Sequence, residues 1–138
     1  MMQGGMDMER PILIVDDEDH ILRVLRLKLS NAGYDVHTAV DGEDAFDVAQ
    51  RIVPALVITD FQMPYMTGLD LVRAMGGTPE LRDIPVIMLT ARGYALDETE
   101  LDGTRVAALL SKPFSPKSVL EHVQRLMSPA GHQTEEAA

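Results

Sequence analysis

The chain of 138 residues has no cysteine. That excludes a disulfide framework and a thiolate metal site, and it fits a reducing compartment. Long apolar runs are missing too: none approaches the roughly 20 residues of a membrane span. The opening MMQGGMDMER lacks a basic segment followed by an apolar one, so it does not read as a secretory signal. Positive charge is in short supply, with 12 basic against 22 acidic side chains and a net charge of −10. Such a balance argues against non-specific nucleic-acid binding and suits a chain that meets proteins or cations.

What is present is an alternation of short apolar runs and helical periods. The length is that of one domain, enough to bury roughly 65–70% of its unfolded surface. Residues 1–9 are expected to be a disordered lead, 10–127 a folded domain and 128–138 a polar, disordered tail. Strands are expected at Pro11–Val15, Asp35–Val40, Ala55–Thr59, Ile84–Thr90 and Val106–Ser111. Between them, Ile21, Leu22, Leu25 and Leu29 recur at helical spacing, with Asp19 as cap and Gly33 as stop. Asp41 and Asp44 resemble a capping box ahead of Ala45, Phe46, Ala49 and Ile52, and Pro54 ends that helix. Thr67 caps a helix carrying Leu69, Val72 and Met75, which Gly76 and Gly77 break. A weaker helix is expected over Ala95–Thr104, poor in apolar residues and holding Gly103. Ser115, with Pro116 at the first position, starts a last helix lined by Val119, Leu120, Val123 and Leu126.

Five strand–helix units imply a parallel sheet with helices on both faces. Five are too few for the eight-fold barrel. The expected fold is therefore α/β, an open doubly wound five-stranded sheet of the flavodoxin-like order 2-1-3-4-5. Ligands of such sheets bind at the carboxyl ends of the strands, where the winding reverses.

The residues at those ends are chemically pointed. Asp16 and Asp17 follow the first strand, Asp60 the third, Thr90 ends the fourth and Lys112 follows the fifth. In this order the first and third strands are neighbours, so three carboxylates meet. Two carboxylates about 4 Å apart repel by roughly 4 kcal/mol at an effective dielectric near 20. Lys112 supplies one counter-charge, and a divalent ion would supply two more. All-oxygen ligands without His or Cys point to a hard ion, Mg²⁺ before Ca²⁺ or Mn²⁺. The backbone carbonyl of Gln62 is a further candidate ligand. A hard ion, a lysine, a hydroxyl and a spare carboxylate suit phosphoryl transfer, with Asp60 as the nucleophile and Thr90 as a donor to the moving group.

This set resembles the receiver domain of two-component response regulators, of the single-domain chemotaxis-regulator type, over roughly Pro11 to Met127. The resemblance is carried by Asp16–Asp17, by Asp60 in TDFQMPYMTG, by Thr90 in MLTA and by Lys112 in SKPF. It implies that Asp60 takes a phosphoryl group from a phosphohistidine on a sensor histidine kinase or phosphotransfer protein, with Mg²⁺ as cofactor. It implies a cis Lys112–Pro113 peptide, slow hydrolysis of the acyl phosphate, and side chains at Gln62 and Arg92 that shield or orient the attacking water. It implies a cytoplasmic switch acting on a downstream protein, with no direct nucleic-acid contact and no membrane. The chain departs from the family at Leu109, where relatives often carry an aromatic residue that rotates inward. Tyr94 and Phe114 lie near in sequence. The signal is then expected to leave through the loop at Ala91–Tyr94 and the weak helix after it.

Two rival readings remain. A flavin carrier on the same fold would want a hydroxyl- or glycine-rich loop after the first strand, where DDEDH is anionic. A degenerate receiver would serve only as a protein-binding module, but every key residue is present. The polar tail reads as the end of a stand-alone receiver. His20 and His37 read as surface residues, and Met63, Met66, Met75 and Met88 as core filler.

Overall fold

The computed structural model of the chain describes residues 11–91, 101 and 103–128. Five parallel strands, β1 (Ile12–Val15), β2 (Val36–Ala39), β3 (Leu56–Asp60), β4 (Val86–Thr90) and β5 (Val106–Ser111), form one sheet in the order β2-β1-β3-β4-β5. Four helices are described: α1 (Asp19–Asn31), α2 (Gly42–Ile52), α3 (Gly68–Gly76) and α4 (Pro116–Met127). The expected fold class and strand order are those observed.

Strand alternation sorts the core into two layers. Leu13, Val15, Val57, Val86 and Met88 face α2 and α3, where Ala45, Ala49, Leu69, Val72 and Met75 meet them. Ile12, Ile14, Leu56, Ile58, Ile87 and Leu89 face the other way, against Leu22, Leu25 and Leu29 of α1 and Val119, Val123 and Met127 of α4. The central strands are buried on both faces, which is why β1, β3 and β4 read as unbroken apolar runs. Full burial of a Leu or Ile side chain contributes about 1.5–3 kcal/mol, so these strands dominate the core. At the sheet edge, β5 alternates: Val106, Ala108 and Leu110 are partly buried, while Ala107, Leu109 and Ser111 are exposed.

Helix ends follow local chemistry. The Thr67 hydroxyl accepts from the Asp70 N–H, and Asp70 accepts from the Thr67 N–H, a complete capping box on α3. Ser115 caps α4 through the Ser118 N–H, with Pro116 at the first position. Asp41 accepts from the Asp44 N–H, but Asp44 returns to Val40 rather than to Asp41, so the expected box is displaced by one residue. At α1 the cap is Glu18, not Asp19, and no side chain caps it. Gly33, just past α1, takes φ +101°, a conformation that glycine adopts without a Cβ penalty.

Boundaries shifted slightly. β4 begins at Val86 rather than Ile84, because Pro85 has no N–H to give the ladder and only its carbonyl takes part, accepting from Val57. β3 includes Asp60 as its last residue. Most of the weak helix expected over Ala95–Thr104 lies outside the described residues, as do Arg92, Tyr94 and the segments 1–10 and 129–138. At its described end, Gly103 has φ +77° and the Thr104 N–H donates to the Leu101 carbonyl at 3.0 Å.

Candidate functional site

The same alternation that sorts the core builds the site. β1 and β3 pair in register, Ile14 opposite Ile58 and Val15 opposite Thr59. The next residue on each strand is an aspartate, so Asp16 and Asp60 arrive side by side. Both continue the row that faces α1 and α4, through Ile14 and Ile58. On β5 the same row runs through Ala108 and Leu110, and its next position is Lys112. Three strands therefore deliver two carboxylates and an ammonium to one spot. Thr90 ends β4 one position out of phase, continuing the other row after Met88.

Backbone bonds hold these ends together. The Asp16 N–H donates to Ala39, Phe61 to Leu89 and Lys112 to Thr90, at 3.2, 2.7 and 2.7 Å. The Lys112–Pro113 peptide is cis, as the resemblance implied. After Asp60 the loop turns back closely: the Gly68 N–H donates to the Phe61 carbonyl at 2.8 Å. A Cβ on Gly68 would stand 2.5 Å from the Asp60 carbonyl oxygen, so only glycine fits there. Tyr65, in the same loop, is fully exposed and has φ +69°.

Lys112 Nζ lies 3.2 Å from Asp60 Oδ1 and 3.3 Å from Asp16 Oδ2. Asp16 is fully buried, Asp60 and Thr90 nearly so, and Asp17 is exposed. A carboxylate oxygen from each of Asp16, Asp17 and Asp60 can be chosen so that all lie within 4.8 Å of one another. At that separation each pair repels by roughly 3 kcal/mol at an effective dielectric near 20. Burial first, then the Asp16 charge, push the Asp60 carboxyl from 3.8 up to about 6, against the pull of Lys112. Burial also raises Asp16, against the Glu18 N–H and Lys112. For Lys112, burial pulls down, but Asp16 and Asp60 together outweigh it and hold the ammonium above its usual value.

The structure brings together Asp16, Asp17, Asp60 and Lys112, and places Thr90 at the adjoining strand end. Gln62 follows in the loop, with an exposed side chain. The three carboxylates carry more negative charge than one lysine offsets, and their all-oxygen donor set suits a hard divalent cation. One participant was not expected from the sequence. Glu18 Oε1 lies 3.4 Å from Lys112 Nζ, a third carboxylate on the same ammonium. The signal was its place directly after the acidic pair, but its type does not distinguish it from a solvated helix start.

Of the histidines, His20 is exposed, whereas His37 is half-buried and lies 3.2 Å from Asp35. Met63, Met75 and Met88 are buried, as core filler should be. Leu109 is 42% exposed on β5, on the face away from α1 and α4.

Comparison with known proteins agrees with this geometry. Residues 12–124 match the family model described as the response regulator receiver domain. The chain is 41% identical to "Probable transcriptional regulator ycf27" of Cyanophora paradoxa, over 86% of this chain and 48% of that protein. It is 33% identical to the transcriptional regulatory protein SrrA of Staphylococcus aureus, over 87% and 48%. The chain thus spans about half the length of these curated relatives. Among solved structures, the chemotaxis response regulator CheY4 of Vibrio cholerae superposes with a TM-score of 0.77 at 33% identity, covering 85% of this chain and 98% of that one. A CheY-like receiver domain protein from Methanospirillum hungatei gives 0.71 at 26% identity, over 83% and 90%.

Proposed function

This chain belongs to the response regulator receiver domain family, and on that premise we propose that Asp60 accepts a phosphoryl group from a phosphohistidine. The donor is a sensor histidine kinase or a phosphotransfer protein, and the phosphorylated chain switches a downstream protein partner. The observation that carries this reading is Asp60 itself: a buried carboxylate at a strand end, 3.2 Å from a lysine and beside two further aspartates.

In the transfer step an Asp60 oxygen attacks phosphorus, the P–N bond breaks, and its electron pair leaves with the histidine nitrogen. With its carboxyl raised to about 6, Asp60 is mostly ionised at neutral pH and more basic than a surface aspartate. Lys112 neutralises charge on the moving group, and the Thr90 hydroxyl donates to another of its oxygens. Asp16, Asp17, Asp60 and the Gln62 carbonyl would hold Mg²⁺, which when bound offsets the remaining charge. Release is hydrolysis: water attacks phosphorus, the acyl P–O bond breaks with its electron pair on Asp60, and the carboxylate, inorganic phosphate and a proton result. Self-catalysed transfer and slow release make the chain a timed switch rather than a metabolic enzyme, acting in the cytoplasm.

An apolar cavity of about 520 Å³ opens beside Lys112, lined by His20, Ile21, Val24, Pro113 and Phe114 among others. It gives a protein donor an apolar seat next to the reacting group. The reading is tested by incubating the chain with acetyl phosphate and Mg²⁺ and weighing it intact. One labile phosphoryl adduct that disappears with chelator is expected. No adduct under any Mg²⁺ concentration would leave the chain as a protein-binding module only.

A further inference from the structure

An ammonium has three N–H donors, and Lys112 lies against three carboxylates: Asp60 at 3.2 Å, Asp16 at 3.3 Å and Glu18 at 3.4 Å. The contacts to Asp16 and Glu18 have hydrogen-bond geometry. Two of the three partners are fixed by burial, but the Glu18 side chain is 60% exposed.

Glu18 occupies the N-cap of α1, a position that favours Ser, Thr, Asp and Asn because a short side chain can accept from the first turn. Its side chain makes no such bond. The backbone does the work instead. Its N–H donates to Asp16 Oδ1 at 2.9 Å, and its carbonyl accepts from Ile21 and Leu22 at 3.1 and 3.2 Å. The main chain is pinned from both sides, and only the side-chain torsions can move. A side chain unused by the helix, long enough to reach Lys112 and free to swing into water, is a releasable tether.

We propose that Glu18 is a positioning residue for Lys112: it occupies one ammonium donor while Asp60 is unmodified, and it is the partner that Lys112 gives up when a phosphoryl group arrives. The inference rests on the reading of Asp60 as the acceptor. A phosphoryl group brings about −1.5 to −2 charges and several strong acceptors, so Lys112 must turn a donor toward it. The donor that faces Asp60 stays with that side chain as it becomes the acyl phosphate, and turning a second donor away from Asp16 would take it from a fully buried carboxylate, which is costly even beside a cation. Releasing Glu18 hands an exposed carboxylate to water at little cost. Glu18 therefore competes with the phosphoryl group for Lys112 and weakens the site's hold on it.

The test is calorimetric titration of the full chain with beryllofluoride and Mg²⁺, as wild type, Glu18→Asp and Glu18→Gln, each with Lys112 intact and as Lys112→Met. Aspartate keeps the charge and can cap α1, but from a pinned backbone it is one methylene too short for the 3.4 Å contact. If the tether acts, Glu18→Asp binds about 1.5- to five-fold tighter than wild type, the range for an exposed ion pair, and the gain vanishes beside Lys112→Met. Tightening in Glu18→Gln alone would mean simple charge repulsion and overturns the proposal. So does a gain that survives Lys112→Met, or no change in either variant. Failure of the wild type to bind beryllofluoride would instead overturn the acceptor role of Asp60, and this inference with it.

Discussion

Lys112 Nζ sits 3.2 Å from Asp60 Oδ1, across a sheet in which β4 separates their strands. The pair is poised rather than settled, because Asp16 and Glu18 draw on the same ammonium. Burial first, and then the Asp16 charge, outweigh the pull of Lys112 on Asp60, and its carboxyl stands at about 6 instead of 3.8.

That displacement makes a stability prediction with a definite sign. A carboxyl raised in the folded state stabilises fully below its unfolded value and loses that stabilisation as pH rises through the folded one. Ionising Asp60 should therefore cost the fold about 2–3 kcal/mol between pH 4 and pH 7. Asp60→Asn, nearly isosteric and neutral, is expected to be more stable than wild type at pH 7.5 by about 1–3 kcal/mol, with the gap closing near pH 4. Urea melts of both proteins across that range check it. An equal or less stable Asn variant at pH 7.5 would mean that Lys112 fully compensates the charge.

Divalent ions should act on the same excess charge. Mg²⁺ at ten times its dissociation constant is expected to raise wild-type stability by about 1.4 kcal/mol. Asp17→Ala removes the exposed member of the carboxylate trio and should abolish most of that gain without harming the apo fold. Thermal melts with Mg²⁺ and with chelator measure both. Equal gains in the two proteins would exclude Asp17 from the cation site.

Gly68 supports the site by leaving room for the close approach of the Asp60 backbone rather than by taking part in the chemistry. A methyl group there would press on the Asp60 carbonyl oxygen, which is backbone and cannot swing aside. Gly68→Ala should destabilise by about 1–3 kcal/mol, the usual cost of overpacking, and slow labelling of Asp60 by acetyl phosphate. Gly76→Ala is the control, since nothing lies near its Cβ position. If both variants melt and label alike, the close approach at Gly68 is relieved by a backbone shift.

The fold was legible where burial is two-sided. Val57–Ile58 and Val86–Leu89 read as strands because a parallel sheet covered on both faces accepts apolar side chains at every position. The site was legible because Asp16 and Lys112 each fall one step past a strand and Asp60 at the end of one, and strand order then brings them together. Glu18 was hidden for a local reason. By residue type Asp19 is the better cap, which places the start of α1 one residue later and Glu18 ahead of the cap. The displaced bond from Asp44 to Val40 was hidden in the same way, since residue type does not say which of two adjacent N–H groups a carboxylate will reach. Leu109 shows the limit of pattern: VAALLS reads as a strand of mostly apolar residues, and at the edge of the sheet every second residue of β5 is exposed.

The central claim is that Asp60, not its neighbours Asp16 and Asp17, carries the phosphoryl group. Borohydride reduces an aspartyl phosphate to homoserine and leaves free carboxylates untouched. The chain should be labelled with acetyl phosphate and Mg²⁺, reduced, digested and sequenced by mass spectrometry. The account predicts homoserine at position 60 alone. Homoserine at position 16 or 17 instead would contradict it.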